Sequence, residues 1–334
     1  MHDPAAPSER HIGDLEQPFL TGRGVLPPTP PIPALLSRRV QKLRERFIEF
    51  ALFLSALSSV LITLGIVGIL VYESLGFFSH VSLWDFLTDT QWTPLFANPR
   101  YGILPLLSGT LTVTLVALLV AMPLGTISAI WLSEYSPHAV RELLKPVLEL
   151  LSAVPTVVYG YFALLFVTPL LQQLFAAVGY ELPGFNMLSA GLVIGIMIIP
   201  YVSSVSEDAM HAVPMHIREG SYAMGATRMQ TALRVVLPAS LSGVTAAYIL
   251  GISRALGETM VVAIAAGMQP NLTLNPTQPA ATITAYIVQV SLGDLPHGSI
   301  GYQSIFAAGL ALMIMTLTFN IAGYLLRRRY REAY

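Results

Sequence analysis

Two charged side chains stand four residues apart inside a long apolar stretch: Arg254 and Glu258, in Arg254-Ala255-Leu256-Gly257-Glu258-Thr259. An arginine is always protonated, and its planar fork of N–H donors matches two oxygens of a phosphate-like anion at once. A charge at the middle of a bilayer costs roughly 2.5–3.5 kcal/mol on insertion scales, and such residues face a bundle interior or an aqueous path. An oxyanion crossing hydrocarbon needs such a fixed counter-charge, because an uncompensated buried ion costs many kcal/mol. The chemistry on offer is anion binding and release. Residues at i and i+4 of one helix share a face, so Glu258 is expected to pair with Arg254 while no anion is present and to yield it when one arrives. A purely structural pair that orients helices is the plainer reading.

The remaining residues offer little bond chemistry. Cysteine is absent, which excludes disulfides, thiolate metal sites and thiol nucleophiles. The two lysines, Lys42 and Lys145, follow no glycine loop, and G-x-x-x-x-G-K-[ST] does not occur. H-E-x-x-H and G-x-S-x-G are also missing. His211 and His216 lie in a loop and form no metal-binding motif of the H-E-x-x-H kind. No catalytic residue, no metal site and no cofactor bound by this chain is therefore expected. A net charge of −1 supplies no basic field for nucleic acid.

The elements that must position the charges are transmembrane. Charged residues make up 11% of the chain and hydrophobic ones 54%, with a mean hydropathy of +0.64; soluble domains carry about 25% charged residues. Long charge-poor windows predict six spans of about 20 residues or more, near 47–72, 106–132, 149–174, 187–206, 239–268 and 303–326, the fifth interrupted in charge at Arg254 and Glu258. Arg38, Arg39, Lys42, Arg44, Arg46, Arg141, Lys145, Arg218, Arg228, Arg234 and the arginines from 327 to 331 then fall on one side, which must be the cytoplasm. Both termini are expected there. Residues 1–33, with eight prolines, read as a disordered cytoplasmic tail, and 34–334 as the membrane domain.

The longest cytoplasmic loop, 207–238, reads as two short helical segments around Gly225, with Pro238 in the first turn of span five. Glu219 would oppose the positive end of a helix dipole. In span three, Pro155, Thr156 and Tyr159 could line a path beside the charges; a packing kink at Pro155 is the ordinary alternative. Gly191, Gly195, Gly243, Gly251 and Gly257 are expected to permit close helix contact.

The loop stretch Glu219-Gly220-Ser221-Tyr222-Ala223-Met224-Gly225, nine residues, then Val235-Val236-Leu237-Pro238, resembles the E-A-A-x3-G-x9-I-x-L-P signature of ABC importer permeases. Gly220 and Ser221 replace its alanines, and Val235 its isoleucine. Further stretches resemble the PstC-type permease subunit of the bacterial phosphate-specific (Pst) ABC importer: Phe86-Leu87-Thr88 and Gln91-Trp92-Thr93-Pro94, Leu132-Ser133-Glu134-Tyr135-Ser136-Pro137, Val154-Pro155-Thr156-Val157-Val158-Tyr159-Gly160, and the Arg254–Met260 run. Leu143-Leu144-Lys145-Pro146 and Met260-Val261-Val262 favour this type over the sister PstA-type.

The resemblance implies an all-α polytopic membrane protein with six transmembrane helices and the type I ABC importer permease fold, in the bacterial inner membrane. It implies a path shared with a homologous PstA-type permease and lined by Arg254, Glu258, Thr156 and Tyr159. It also implies a coupling loop (Glu219, Gly220, Ser221, Gly225, Leu237, Pro238) that docks on two separate PstB-type ATPase subunits, which hold the ATP and magnesium. An external PstS-type phosphate-binding protein, membrane lipid and a phosphate-signalling regulator complete the implied partners. A permease for molybdate or sulfate, a phosphate-sensing membrane regulator and an ion-driven secondary transporter are the rival classes.

Overall fold

The computed structural model describes residues 38–329 except 95, 97, 294 and 297, with side chains from 42 to 328. The expected proline-rich tail at 1–33 lies outside the described residues. The chain divides into two compact units at Gly65 and Ile66. What is described of the first is the amino-terminal part of helix α1 (Arg38–Phe78). Its apolar side chains, among them Phe47, Leu57 and Leu61, are exposed all round. A helix apolar on every side is built for lipid.

The second unit continues from α1 into α2 (Leu83–Thr88), α3 (Leu104–Ile130) and α4 (His138–Ser152). The chain then forms α5 (Thr156–Phe162), α6 (Thr168–Ala176), α7 (Met187–His211), α8 (Met215–Ala223), α9 (Arg228–Thr231) and α10 (Leu237–Ala239). It ends with α11 (Leu241–Leu256), α12 (Met260–Ala265), α13 (Ile283–Ser291) and α14 (Ile300–Arg329). Wider π-helical turns at Trp131–Tyr135, Ala163–Val167 and Ala232–Val236 join α3 to its cytoplasmic end, α5 to α6 and α9 to α10. Among the described residues no β-sheet forms; Trp92 and Tyr101 make one isolated bridge.

Among the described residues five helices are long and apolar enough to cross a membrane, and six crossings result when the bent pair, Arg228–Ala239 with Leu241–Leu256, is counted as one span. The expected count of six holds, with three corrections. The third span starts at Thr156 rather than near 149. Pro155 has no N–H to give and holds Val154 out of the helical region, so the chain before it forms the separate helix α4, none of whose residues is buried. The fourth span runs on to His211. The fifth is discontinuous: α11 ends at Leu256, Gly257-Glu258-Thr259 break it, and α12 completes the crossing.

The end of α12 is located by its bonds. Asn186 N donates to Ala265 O at 3.1 Å and Ala280 N to Ala266 O at 3.2 Å, beside the outer end of α7. From there the chain dips back into the bundle. Ile283 N donates to Thr110 Oγ1 at 3.1 Å on α3, and Thr284 Oγ1 donates to the Glu258 carbonyl at 2.7 Å. Irregular backbone at membrane depth is tolerated only where protein buries it. Ala280, Ala281, Thr282, Ile283 and Thr284 are all buried here.

Glycines set the spacing of the two central helices, α3 and α7. A Cβ on Gly191 would lie 2.7 Å from the Val116 side chain, and one on Gly195 2.8 Å from Ala117 O. A Cβ on Gly243 would lie 2.3 Å from Ala209 Cβ. Gly257 does not belong with them, because it caps α11 and is exposed. Gly109 carries the tightest constraint on the re-entrant segment: a Cβ there would sit 2.3 Å from Ala281 O. Gly109→Ala should therefore push that segment away and destabilise the fold by roughly 1–3 kcal/mol, the usual cost of overpacking. Gly220→Ala, which meets open space within α8, should leave the fold unharmed. Thermal unfolding of the two purified variants in detergent checks the contrast; equal midpoints would refute it.

Candidate translocation site

Arg254 sits in the last turn of α11, about 20 Å along the helix from Leu241 at 1.5 Å per residue. That is roughly half the hydrocarbon thickness plus the headgroup margin. The guanidinium carbon lies 5.9 Å from the centre of the Tyr201 ring on α7. Tyr159, from α5, is within its electrostatic reach. Among the described residues no hydrogen bond or ion pair engages the Arg254 side chain, and its Nε is buried without a partner.

Glu258 does not form the expected pair with Arg254. With α11 ending at Leu256 the two residues no longer share one helix face. The buried Glu258 carboxylate instead accepts from Met260 N at 3.2 Å and Val261 N at 3.3 Å. It closes the first turn of α12, where free N–H groups and the helix dipole favour an anion. Thr156 opens α5, half-buried, and shares no hydrogen bond with Arg254. Tyr159 donates its hydroxyl to Leu151 O at 2.8 Å, tying α5 to the end of α4. Gly160, next to Tyr159, lets α12 approach: a Cβ there would meet Ile264 at 2.7 Å. The structure thus gathers Arg254, Tyr201 and Tyr159, and assigns Glu258 to holding the break in the fifth crossing.

At the opposite end of α11 the loop forms two short helical segments around Gly225, as expected. Gly225 has φ of 82°, a left-handed conformation that glycine adopts freely. Gly225 N donates to Tyr222 O at 2.9 Å and Ala226 N to Ser221 O at 3.2 Å, which completes a Schellman end for α8. Thr227 and Gln230 cap α9 reciprocally. Ser221 Oγ pairs with Thr231 Oγ1 at 2.9 Å across the two segments. Glu219 and Gly220 are exposed, while Leu237 packs on the cluster of Ala129, Met210, Val236 and Val244. Pro238 is not in the first turn of α11. It lies in α10, before a 72° bend. Its missing N–H falls where the wide turn returns to ordinary register, so no regular ladder is interrupted.

Residues 121–332 match the family described as "Binding-protein-dependent transport system inner membrane component". The chain belongs to that family. The Bacillus subtilis (strain 168) protein named "Probable ABC transporter permease protein YqgH" is 35% identical to this permease over 297 residues, 88% of this chain and 93% of YqgH. The phosphate transport system permease protein PstC of Mesorhizobium japonicum is 32% identical over 322 residues, 89% of this chain and 96% of its own. The crystal structure of a bacterial ABC transporter involved in the import of the acidic polysaccharide alginate aligns with a TM-score of 0.62 at 17% identity, over 88% of this permease and 100% of that chain. At that identity the likeness establishes the fold. The resemblance to PstC-type permeases holds over most of the chain, and the permease is a multi-pass inner-membrane transport subunit of the type I importer fold.

Six ionic residues, paired across long stretches of sequence, hold the permease's cytoplasmic face. Arg218, buried within α8, binds Glu134 Oε1 through Nε at 3.2 Å and Nη2 at 3.0 Å. It also donates to Met210 O at 2.8 Å and to Val213 O. Glu207, at the end of α7 with a side chain only 1% exposed, takes Arg141 at 2.6 Å and Lys145 at 3.0 Å, both from α4. Lys145 also binds Asp208. Burial pulls the Lys145 ammonium down, but the hydrogen bonds and charges of Asp208 and Glu207 more than reverse this, leaving its pKa above the ordinary lysine value.

Removing one partner of a buried pair strands the other, at roughly 3–5 kcal/mol. Arg218→Met should lower the unfolding midpoint sharply, and Arg218→Met with Glu134→Gln should recover part of the loss because no lone charge remains. A double variant no better than the single would contradict this. A pKa raised on folding gives stability that is full below the unfolded value and fades as pH climbs through the folded one. The difference in midpoint between the parent and Lys145→Met should therefore stay constant from about pH 6 to 9 and shrink only above about pH 10.4.

Proposed function

We propose that this permease is the PstC-type subunit of an ATP-driven importer for inorganic phosphate. It forms the path together with a homologous PstA-type permease, within membrane lipid. Two PstB-type ATPase subunits, holding ATP and magnesium, work from the cytoplasmic side, and a PstS-type protein delivers phosphate from outside. The permease itself holds no nucleotide or other cofactor and makes no covalent bond. The similarity to PstC of Mesorhizobium japonicum supports the substrate class.

One observation carries the reading: in the last turn of α11 the guanidinium of Arg254 meets neither a carboxylate nor any hydrogen-bond acceptor among the described residues. Its unspent donors match the oxygens of a tetrahedral oxyanion. Thr156 and Tyr159 stand on the neighbouring span as further lining. Glu258 keeps the helix break in place, so Arg254 ends its helix at the path rather than inside a continuous rod.

The segment from Glu219 to Pro238 is the coupling surface. Tyr222, Met224 and Met229 are exposed there, and Met224 is 88% exposed. Flexible thioether and aromatic side chains suit a docking cleft. Arg218 fixes this segment to the ends of α3 and α7, so a push on α8 reaches the spans through Glu134 and the Met210 carbonyl.

The test is Arg254→Gln in the four-part importer reconstituted in proteoliposomes. Phosphate uptake should fall at least a hundredfold, since the barrier to an unpaired anion rises by several kcal/mol, while the subunits still copurify. Sulfate and molybdate should compete poorly with phosphate for uptake by the parent importer. Wild-type uptake by an assembled Arg254→Gln importer would overturn the reading.

A further inference from the structure

We propose that Tyr201 is the positioning residue for Arg254, its ring standing where a carboxylate counter-ion was expected, so that the guanidinium is held in place with its charge uncancelled. The inference rests on Arg254 being the anion site of the path. The separation of 5.9 Å between the Arg254 guanidinium carbon and the Tyr201 ring centre is within the roughly 6 Å over which a ring's negative face attracts a cation. No other described side chain or carbonyl anchors Arg254. Glu258, the carboxylate nearest in sequence, is spent on the N–H groups of Met260 and Val261.

The chemical difference between the two kinds of partner matters for transport. A carboxylate paired with Arg254 would occupy the N–H fork and neutralise it, so an arriving oxyanion would have to displace a bound competitor. A ring face attracts the cation through its quadrupole and places no oxygen on the fork. The donors stay open and the site keeps a full positive charge. Tyr201 is well placed for this work. It follows Pro200 in α7, a helix packed against α3 by the glycine contacts described above, so its ring is mounted on a rigid element.

The experiment uses the assembled importer in proteoliposomes and reads phosphate imported per ATP hydrolysed, with copurification of all subunits as the assembly control. Tyr201→Leu removes the ring at similar bulk and should lower phosphate per ATP about fivefold or more, the scale of a partly desolvated cation–π contact. Tyr201→Phe should restore most of that loss, because it returns the ring without the hydroxyl. Tyr201→Glu should abolish uptake by supplying the competing carboxylate. Should Tyr201→Leu not assemble, Tyr201→Met takes its place with the same expected loss. Parent-level phosphate per ATP in the Leu or Met variant overturns the proposal. So does a Phe variant as damaged as the Leu variant, or a Glu variant that still transports. Arg254→Gln separates the two levels. If it transports normally, the reading of the path fails. If it is inactive while Tyr201→Leu is normal, only the role of Tyr201 fails.

Discussion

A guanidinium halfway across a hydrocarbon layer has to be solvated by the protein or by something passing through it. Arg254 meets that constraint with a single aromatic face and leaves its hydrogen-bond donors unspent. The cost of keeping a charge in that state is several kcal/mol, and the surrounding architecture makes it sustainable. The side chain stands at the end of a helix, between spans that contribute tyrosines rather than carboxylates.

The broken fifth crossing follows from the same requirement. A continuous helix would carry Arg254 past the centre as one more side chain on a rod. Ending α11 at Leu256 leaves unsatisfied backbone groups at membrane depth, and each must find a partner. Glu258 takes two N–H groups of α12, while Thr284 reaches the Glu258 carbonyl from the re-entrant segment. Thr110 on α3 then satisfies the backbone of that segment at Ile283. Polar side chains from three elements thus stand in for the ladder that the break removed, and Gly109 makes room for them.

Much of this was legible in the chain. Charge-poor windows located the crossings, and the glycine at 225 marked the joint between α8 and α9. The signal for the break was also present: Gly257 directly after a last turn that carries Arg254 is a helix stop. Reading Arg254 and Glu258 as i and i+4 of one helix overlooked it. The separation of α4 from α5 was written in Pro155, and in the clustering of Arg141, Glu142, Lys145 and Glu149 on one side of a helix. The pairs Glu134–Arg218 and Glu207 with Arg141 and Lys145 could not be read, because they join residues more than sixty positions apart whose proximity is created by packing. Tyr201 carried no local signal either. An aromatic residue after a proline in an apolar helix is ordinary until the fold places it beside a cation.

The central claim concerns where the anion meets the protein, and the most direct measurement is an electron cryomicroscopy map of the assembled importer trapped during turnover with phosphate. The account predicts tetrahedral density within about 3 Å of the Arg254 donors, the Tyr201 ring behind the guanidinium, and Glu258 still bound to the first turn of α12. Arg254 pointing at acyl chains, or paired with a carboxylate while phosphate occupies another part of the bundle, would contradict it.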